Sequence, residues 1–306
     1  MSNQPRKPDF LIVGGPKCAT TSLYYYLNQH PEVFMPEDRH WKEPNFFGRD
    51  QKIAPHRCIR DEEEYLRLFT NATDSQRIGE ATPSYLHSKT AAQEIKVFNP
   101  DMRIIASLRS PAELVTSMHF ENLVNHCEEL LDLDEALDAE SDRIAGRRIP
   151  KLSNKPTYLE YSRIVQFSKN LNRYFNAFGR DNVLVLLFDD IRDNPHGVIS
   201  EVLDFLKVSP DISMIDFSPQ NKSSSKSLRN WKIRGAMRAF PNATKIARQI
   251  LPYRFTHAIA NSVAGSASYD RPKHSEETLN KLKARFKPEV DQLSELIARD
   301  LSHWND

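Results

Sequence analysis

Cysteine, net charge and long hydrophobic runs are all scarce in this 306-residue chain. Cys18, Cys58 and Cys127 are odd in number and widely spaced, and no C-x-x-C pair occurs, which argues against a disulfide framework and a zinc site. The net charge of +1 creates no overall field that would attract nucleic acid. We therefore expect no nucleic-acid partner, and any anion site must come from locally placed basic groups.

The apolar segments are too short to cross a bilayer, and the longest of them lie near Val183 to Phe188. The polar segment Met1 to Asp9 lacks the apolar region and cleavage site of a secretory signal, so we expect a cytoplasmic protein without a membrane span. No linker or internal repeat divides the chain. We expect a flexible N-terminus over residues 1–9 and a single domain over residues 10–306.

Strand, tight turn and helix follow one another three times along the chain. Phe10 to Val13 is an apolar run that is closed by Gly14-Gly15-Pro16 and followed by a helical pattern from Thr20. Arg103 to Leu108 is a second such strand, with a turn at Ser110-Pro111, and Val183 to Phe188 is a third. This alternation predicts an α/β fold with a central parallel sheet flanked by helices.

The remaining elements have weaker signals in the sequence. A short strand is expected around Ile78, and a functional loop is expected over Ser209 to Arg229, which is rich in serine and lysine. Four further segments have helical patterns, namely Leu133 to Ala145, Tyr158 to Phe178, Lys232 to Ile250 and Ser275 to Leu301.

The segment from Gly14 to Leu23 reads G-G-P-K-C-A-T-T-S-L and lies where a strand gives way to a helix. Unpaired N–H groups and the helix dipole favour an anion at such a position, and Lys17 adds a full positive charge. The hydroxyls of Thr20, Thr21 and Ser22 can donate to an anion, although such residues also serve as ordinary N-caps. The loop is not a Walker A motif, because Lys17 lies upstream of the required position, and this disfavours ATP hydrolysis.

This loop resembles the 5′-phosphosulfate loop of sulfotransferases that use 3′-phosphoadenosine 5′-phosphosulfate (PAPS), whose pattern is close to G-x-P-[KR]-x-G-T-T-S-L. The resemblance implies a fold related to the P-loop nucleotide-binding proteins, PAPS as donor and adenosine 3′,5′-bisphosphate (PAP) as product. Ala19 stands where the family has glycine, and its methyl group could crowd the approach of the backbone to phosphate. The residues expected to hold the donor here are Gly15, Pro16, Lys17, Cys18, Ala19, Thr20, Thr21 and Ser22.

A second anion subsite is expected where Arg109 follows a strand and Ser117 comes two helical turns later, as in the family's 3′-phosphate site. Arginine there presents a planar fork of donors to phosphate, and serine adds a hydroxyl. Lys226 and Arg229 resemble a late basic segment that covers the nucleotide in the family. Tyr161 falls near a family position that contacts the nucleotide, and a core or surface tyrosine is the open alternative.

Sulfuryl transfer is an in-line displacement at sulfur that calls for a cation and a base. Lys17 is the expected cation. Glu80 is the expected base, because R-I-G-E-A-T-P-S-Y resembles the family's E-x-[ST]-P-x-Y block. His40, His119 and Glu121 are the other candidates. The K-E-P-N-F-F block resembles the K-E-P-x-F-F block that follows the first helix in many bacterial members of the family. The resemblance implies that Lys42 lies at the cleft edge, and we expect the aromatic residues of the block to lie in the core. Lysine, arginine and backbone N–H groups can meet the donor's charges, so we expect no metal.

Two other functions stay open. Asp189 and Asp190 follow a strand and leave room for a magnesium-dependent nucleotide kinase or NTPase, and a catalytically silent nucleotide-binding protein is the other alternative. The acceptor is expected to be a small molecule, carbohydrate, lipid or carrier-bound group, with O- or N-sulfation and oligomeric state both undecided. The basic residues Arg143, Arg147, Arg148 and Lys151 favour either an acidic acceptor or simply a solvated face.

Overall fold

The structure, a computed structural model, describes residues 6–36, 41–218 and 274–306. Its sheet consists of five parallel strands in the order β2-β3-β1-β4-β5. The predicted α/β fold with a central parallel sheet is confirmed. The strands are β1 (Phe10–Ile12), β2 (Val33–Phe34), β3 (Arg77–Ala81), β4 (Arg103–Leu108) and β5 (Val183–Leu187).

Twelve α-helices surround the sheet within the described ranges, and several begin at a side chain that accepts a backbone N–H, as at Asp61, Asp132 and Ser275. They are α1 (Thr20–Leu27), α2 (Glu62–Arg67), α3 (Ser84–His87), α4 (Ala91–Phe98), α5 (Pro111–Val124), α6 (Leu133–Asp138), α7 (Glu140–Ile144), α8 (Tyr161–Ile164), α9 (Phe167–Phe178), α10 (Phe188–Asp193), α11 (Pro195–Leu206) and α12 (Glu276–Ile297).

Two predicted helices are divided in the structure. The expected helix from Tyr158 to Phe178 starts as a 3₁₀ turn over Pro156–Leu159 and is then split into α8 and α9, because Gln166 has a non-helical backbone with ψ of 61°. The expected helix from Leu133 to Ala145 is divided into α6 and α7 at Ala139. Strand β2 and helices α2 and α4 were not predicted. The helix expected over residues 232–250 and most of the loop expected after Ser209 lie outside the described residues.

Both faces of the sheet are covered. Along β1, Leu11 belongs to one core cluster together with residues of α4, α5, α9 and α12, whereas Phe10 and Ile12 belong to the other cluster with residues of α1 and α11. Each strand therefore alternates between two buried layers, which explains why the strands read as nearly continuous apolar runs.

The central position of β1 creates a crevice at the carboxyl ends of the strands. The chain visits β2 and β3 on one side of β1 and then crosses to β4 on the other side. In such sheets, ligands bind beyond the carboxyl ends of the strands at the point where the strand order reverses. The phosphate loop, Thr82 and Arg109 follow the ends of β1, β3 and β4, so all three lie at this edge.

Residues 6–9 precede β1 and contact β3 and the segment before it. The Asp9 N–H donates to the Ile78 carbonyl at 2.7 Å, and Arg6 Nη1 donates to the Thr73 carbonyl at 2.9 Å. Across the described helices, none is both long and apolar enough to cross a membrane.

Candidate active site

The phosphate loop is held against β4 by backbone contact. The Gly15 N–H donates to the Ser107 carbonyl at 2.8 Å, and a Cβ on Gly14 would lie 2.6 Å from the Ser107 nitrogen. Only glycine at position 14 allows this close approach. Lys17 and Ala19 both have left-handed backbones, with φ of 63° and 62°. Ala19, which stands where the family has glycine, therefore has a left-handed backbone, and this conformation costs alanine about 1 kcal/mol.

The loop leads directly into α1 at Ala19. Because α1 has no side-chain N-cap, its first-turn N–H groups are left for a ligand or water. Thr20 is buried, and Thr21 and Ser22 are partly exposed in this first turn. Burial raises the pKa of the Cys18 thiol to about 12 despite the opposing fields of Arg109 and Lys17, so Cys18 is a neutral core residue rather than a nucleophile.

The two expected donor-binding cations are each paired with a glutamate of α5. Lys17 Nζ lies 3.3 Å from Glu121 Oε2, and Arg109 Nη2 lies 2.7 Å from Glu113 Oε2. Arg109 Nη1 also donates to the Lys17 carbonyl at 3.4 Å. Glu113, Ser117 and Glu121 are spaced four residues apart and share one face of α5. The two predicted anion subsites therefore meet along this helix.

Glu80, the expected base, is fully buried on β3. Thr82 Oγ1 donates to its Oε2 at 2.8 Å, and the Tyr65 hydroxyl lies 3.5 Å from its Oε1. Burial raises the pKa of Glu80 to about 8, outweighing the hydrogen bond from Thr82, and the negative charge of Glu43 adds to the increase. Glu80 is therefore mostly protonated near neutral pH.

Glu43 has the opposite ionisation state to Glu80. Its carboxylate lies 3.4 Å from Lys42 Nζ and 3.2 Å from Lys155 Nζ, and its side chain is 35% exposed. Desolvation opposes ionisation of Glu43, but Lys155 and Lys42 outweigh it and lower the pKa to about 2. Glu43 is therefore ionised at any ordinary pH.

Asn45 fixes the backbone that carries Glu43. It has a left-handed φ of 49°, which asparagine tolerates, and its Nδ2 donates to the Glu43 carbonyl at 2.7 Å. Phe46 stacks on Tyr65 with ring centroids 4.1 Å apart, and Phe46 and Phe47 are both buried as expected. Lys42 Nζ lies 5.7 Å from the ring centroid of Tyr24 in α1. The K-E-P-N-F-F segment is thus packed between α1 and the end of β3.

The ion pair between Lys17 and Glu121 is connected through α5 to the ion pair between Glu43 and Lys155. Asn122 directly follows Glu121, and its Nδ2 donates to the Tyr158 carbonyl at 3.1 Å. Lys155 Nζ lies 5.0 Å from the Tyr158 ring centroid and contacts Glu43. A series of contacts therefore runs from α5, whose Glu121 pairs with Lys17, through Tyr158 and Lys155 to Glu43.

Other expected site residues lie in the core. Tyr161 is fully buried, and its hydroxyl donates to Glu128 at 3.0 Å, so it is a core residue whose polar end is already bound. His119 is buried with its Nε2 2.9 Å from the Leu130 carbonyl, and burial lowers its pKa, so it is held neutral. Ser117 is buried on α5. His40, Lys226 and Arg229 lie outside the described residues.

The basic residues considered for an acidic acceptor do not form a shared patch. Arg143 is buried against Glu128 at 2.7 Å, and Arg147 and Arg148 both pair with Asp142. Lys151 is exposed in the loop that follows.

The two aspartates that follow β5 are bound by protein groups. Asp189 accepts from Trp304 Nε1 at 2.8 Å and pairs with Arg192 at 3.1 Å, and Asp190 accepts from Arg299 Nη2 at 2.6 Å. Within residues 6–36, 41–218 and 274–306, no group of three His, Cys, Asp or Glu side chains could hold a metal ion.

Sequence reasoning missed Glu43, Lys155 and Tyr65 as members of the site. Glu43 had a signal, because it lies beside Lys42 in a block already noted for its resemblance to the family. Lys155 had none, because the carboxylate it contacts is 112 residues away in the chain.

Comparison with known proteins identifies the family. The family model described as "Sulfotransferase domain" matches residues 7–249. Human bifunctional heparan sulfate N-deacetylase/N-sulfotransferase 3 is 26% identical over 211 residues, which are 67% of this chain and 23% of that protein. Human heparan sulfate glucosamine 3-O-sulfotransferase 6 is 26% identical over 201 residues, which are 66% of this chain and 52% of that protein. This chain thus spans about a quarter of the first relative and about half of the second.

A solved structure extends the likeness to nearly the whole chain. The sulfotransferase from Alicyclobacillus acidocaldarius superposes with a TM-score of 0.71 at 26% identity, covering 98% of this chain and 100% of that one. The family model matches well over half of the chain, and this protein therefore belongs to the sulfotransferase domain family.

Proposed function

We propose that this protein transfers a sulfuryl group from PAPS to a hydroxyl or amine of a carbohydrate acceptor and releases PAP. The observation that carries the proposal is the convergence of two cationic subsites, because Arg109 bonds to the Lys17 backbone and both side chains meet one face of α5. A donor with phosphate at both ends of its nucleoside needs two such subsites. Membership of the sulfotransferase domain family supports the same assignment.

The donor roles follow from charge. The acceptor atom forms a bond to sulfur as the bond from sulfur to the bridging phosphate oxygen breaks, and the electron pair stays on that oxygen. Lys17 and the N–H groups at the start of α1 neutralise this charge, once Lys17 has left Glu121. Arg109 and Ser117 hold the 3′-phosphate. Since protein groups supply this positive charge, no step requires a metal ion.

For the base, we propose Glu43 in place of Glu80. Glu80 has no exposed surface and keeps its proton near neutral pH, whereas Glu43 is ionised and partly exposed beside Lys155. A pKa of about 2 makes Glu43 a weak base. In a loose displacement the acceptor loses its proton late, when the attached sulfuryl group has made it strongly acidic, so a weak base suffices.

A carbohydrate acceptor is the part of the proposal that rests on relatives. Both human proteins described above carry heparan sulfate in their names, and each is matched over about two thirds of this chain. The kinase alternative is less well supported, because Asp189 and Asp190, its expected magnesium ligands, are engaged by Trp304, Arg192 and Arg299.

The test is transfer of label from [³⁵S]PAPS to a panel of carbohydrates, lipids, alcohols and amines in buffer with EDTA. We expect labelled carbohydrate with the wild type and at least about a 100-fold lower rate with Lys17→Ala, since one charge-stabilising group contributes that much. Lys7→Ala is the matched control, because Lys7 is exposed at the amino end of β1. Magnesium-dependent ATP turnover without PAPS transfer would contradict the proposal.

A further inference from the structure

A second cleft lies outside the groups assigned to sulfuryl transfer. Its volume is about 320 Å³, and it is formed by residues of α7, α8 and α9 together with Lys89, which follows α3. Four cations line this cleft, against two carboxylates. The cations are Lys89, Arg163, Lys169 and Arg173, and the carboxylates are Glu140 and Glu160.

Three of these cations have no acidic partner in the described part of the chain. Arg163 pairs with Glu160 at 2.6 Å, but Lys89, Lys169 and Arg173 form no ion pair there. Arg173 is nevertheless fixed, because its Nη1 donates to Asn170 Oδ1 at 2.8 Å and to the Ser88 carbonyl at 3.3 Å. A guanidinium oriented by neutral groups keeps its full charge for a ligand.

The remaining carboxylate does not offset this charge. Glu140 Oε1 accepts from the Ser162 N–H at 2.6 Å, and Glu140 Oε2 lies 3.3 Å from Arg285 Nη2. Burial raises the pKa of Glu140, while the hydrogen bonds from Ser162 and the charge of Arg285 oppose this increase. The cleft therefore carries an excess of positive charge.

His87 lies two residues before Lys89 of the cleft and contacts Tyr158 on the proposed acceptor side. The His87 ring lies 5.7 Å from the Tyr158 ring, and Lys155 Nζ lies 5.0 Å from that same ring. Both ring nitrogens of His87 are buried and lack a hydrogen-bond partner among the described residues. Burial, followed by the fields of Arg163 and Lys155, lowers the pKa of His87 to about 3. Arg163 of the cleft and Lys155 of the proposed acceptor side therefore both act on His87, and the carboxylate of Asp50 opposes them.

We infer that this cleft, which we call the distal subsite, binds a sulfate or carboxylate group of an acidic acceptor chain, beside the position at which the chain is sulfated. This inference rests on the proposed function. The volume suits one sugar-sized unit rather than a whole oligosaccharide. The oriented Arg173 and the two lysines, which form no ion pair with the described residues, can bind the negatively charged oxygens of such a group, so the distal subsite selects acidic chains over neutral ones.

The test measures binding of a labelled heparan sulfate hexasaccharide and of an unsulfated, carboxyl-reduced hexasaccharide, with saturating PAP, by fluorescence anisotropy. The double variant Lys89→Gln and Lys169→Gln is informative because both side chains are exposed and need not disturb folding. We expect about tenfold weaker binding of the acidic hexasaccharide, with unchanged calorimetric affinity for PAP. The matched control is Lys7→Gln with Lys207→Gln, which makes the same change in charge away from the cleft.

Three results would overturn the distal subsite: equal binding of both hexasaccharides by the wild type, an equal loss in the control, or no loss in the double variant. Failure of the proposed function has a different signature. In that case the wild type would neither bind PAP nor transfer a sulfuryl group from PAPS, whatever its affinity for the two hexasaccharides.

Discussion

The donor side and the acceptor side of the crevice are built differently. On the donor side, the loop after β1 and the turn after β4 each supply a cation within a few residues of a strand end. On the acceptor side, Glu43, Glu80 and Lys155 come from distant parts of the chain and meet only in the fold. A site formed by residues that are close together in the chain can be recognised from the sequence, whereas a site assembled from distant segments cannot.

The acceptor side itself contains two carboxylates with opposite behaviour. Among the described residues, Glu80 has no partner of opposite charge within hydrogen-bonding distance, and burial raises its pKa to about 8. Two lysines contact Glu43 and lower its pKa to about 2. Environments that separate two pKa values in this way commonly mark separate roles. In the function that we propose, Glu43 accepts the proton of the acceptor and Glu80 stays neutral.

The largest expected effect concerns these two carboxylates. Glu43→Gln should lower kcat for sulfuryl transfer by about 10²- to 10⁴-fold, because it removes the group that accepts the acceptor's proton. Glu80→Gln should lower kcat by less than about tenfold, because glutamine resembles the protonated acid that is already there. Steady-state kinetics, with PAP affinity as the check on folding, measures both.

If Glu80→Gln lowered kcat more than Glu43→Gln, the base would be Glu80 rather than Glu43. The pH profile gives an independent reading, because a base at Glu80 would make kcat/KM rise tenfold per pH unit up to a pKa of about 8. A base at Glu43 leaves kcat/KM free of that rise.

The buried Glu80 should also impose a pH dependence on stability. Between its unfolded pKa of about 4.3 and its folded pKa of about 8, the folded state binds more protons than the unfolded state. The free energy of unfolding should therefore fall with rising pH, by at most about 1.4 kcal/mol per unit, and level off above the folded pKa. Glu80→Gln should lose this contribution. Urea denaturation of both proteins from about pH 5 to 9 measures the difference, and parallel curves would contradict the buried acid.

A smaller effect is expected at Glu121, which holds the donor-side cation. Glu121→Gln should tighten binding of PAP by about three- to fivefold, because Lys17 no longer has to leave an ion pair of modest strength. Calorimetry measures the change, with Glu129→Gln as the control for loss of an exposed negative charge. Equal tightening in the control would show that the effect is one of net charge alone.

The smallest effect is expected at Ala19. Ala19→Gly should raise the free energy of unfolding by about 0.5 kcal/mol, because relief of the left-handed alanine exceeds the added flexibility of the unfolded chain. Thermal unfolding of the two proteins measures it. A loss of stability would mean that the alanine methyl, which packs against the α1 side of the core, contributes more than its backbone strain removes.

Much of the donor side was predictable from the sequence. Lys17 and Arg109 lie close to strand ends, where the direction of a parallel sheet already brings loops together, and Ser117 follows Arg109 by two turns of α5. Glu80 was assigned from a motif alone, and a motif carries no information about the burial that sets its pKa. The split between α8 and α9 and the pairing of Lys155 with Glu43 depend on tertiary contacts that no local pattern encodes.

The central claim is that two cationic subsites hold the two phosphate groups of the nucleotide. It is tested most directly by calorimetric titration of PAP, adenosine 5′-phosphate and adenosine 3′-phosphate into wild type, Lys17→Ala and Arg109→Ala in metal-free buffer. We predict that the wild type binds PAP more tightly than either monophosphate. Lys17→Ala should weaken 5′-phosphate binding selectively, and Arg109→Ala should weaken 3′-phosphate binding selectively. Equal affinity of the wild type for all three nucleotides, or equal losses in both variants, would contradict the account.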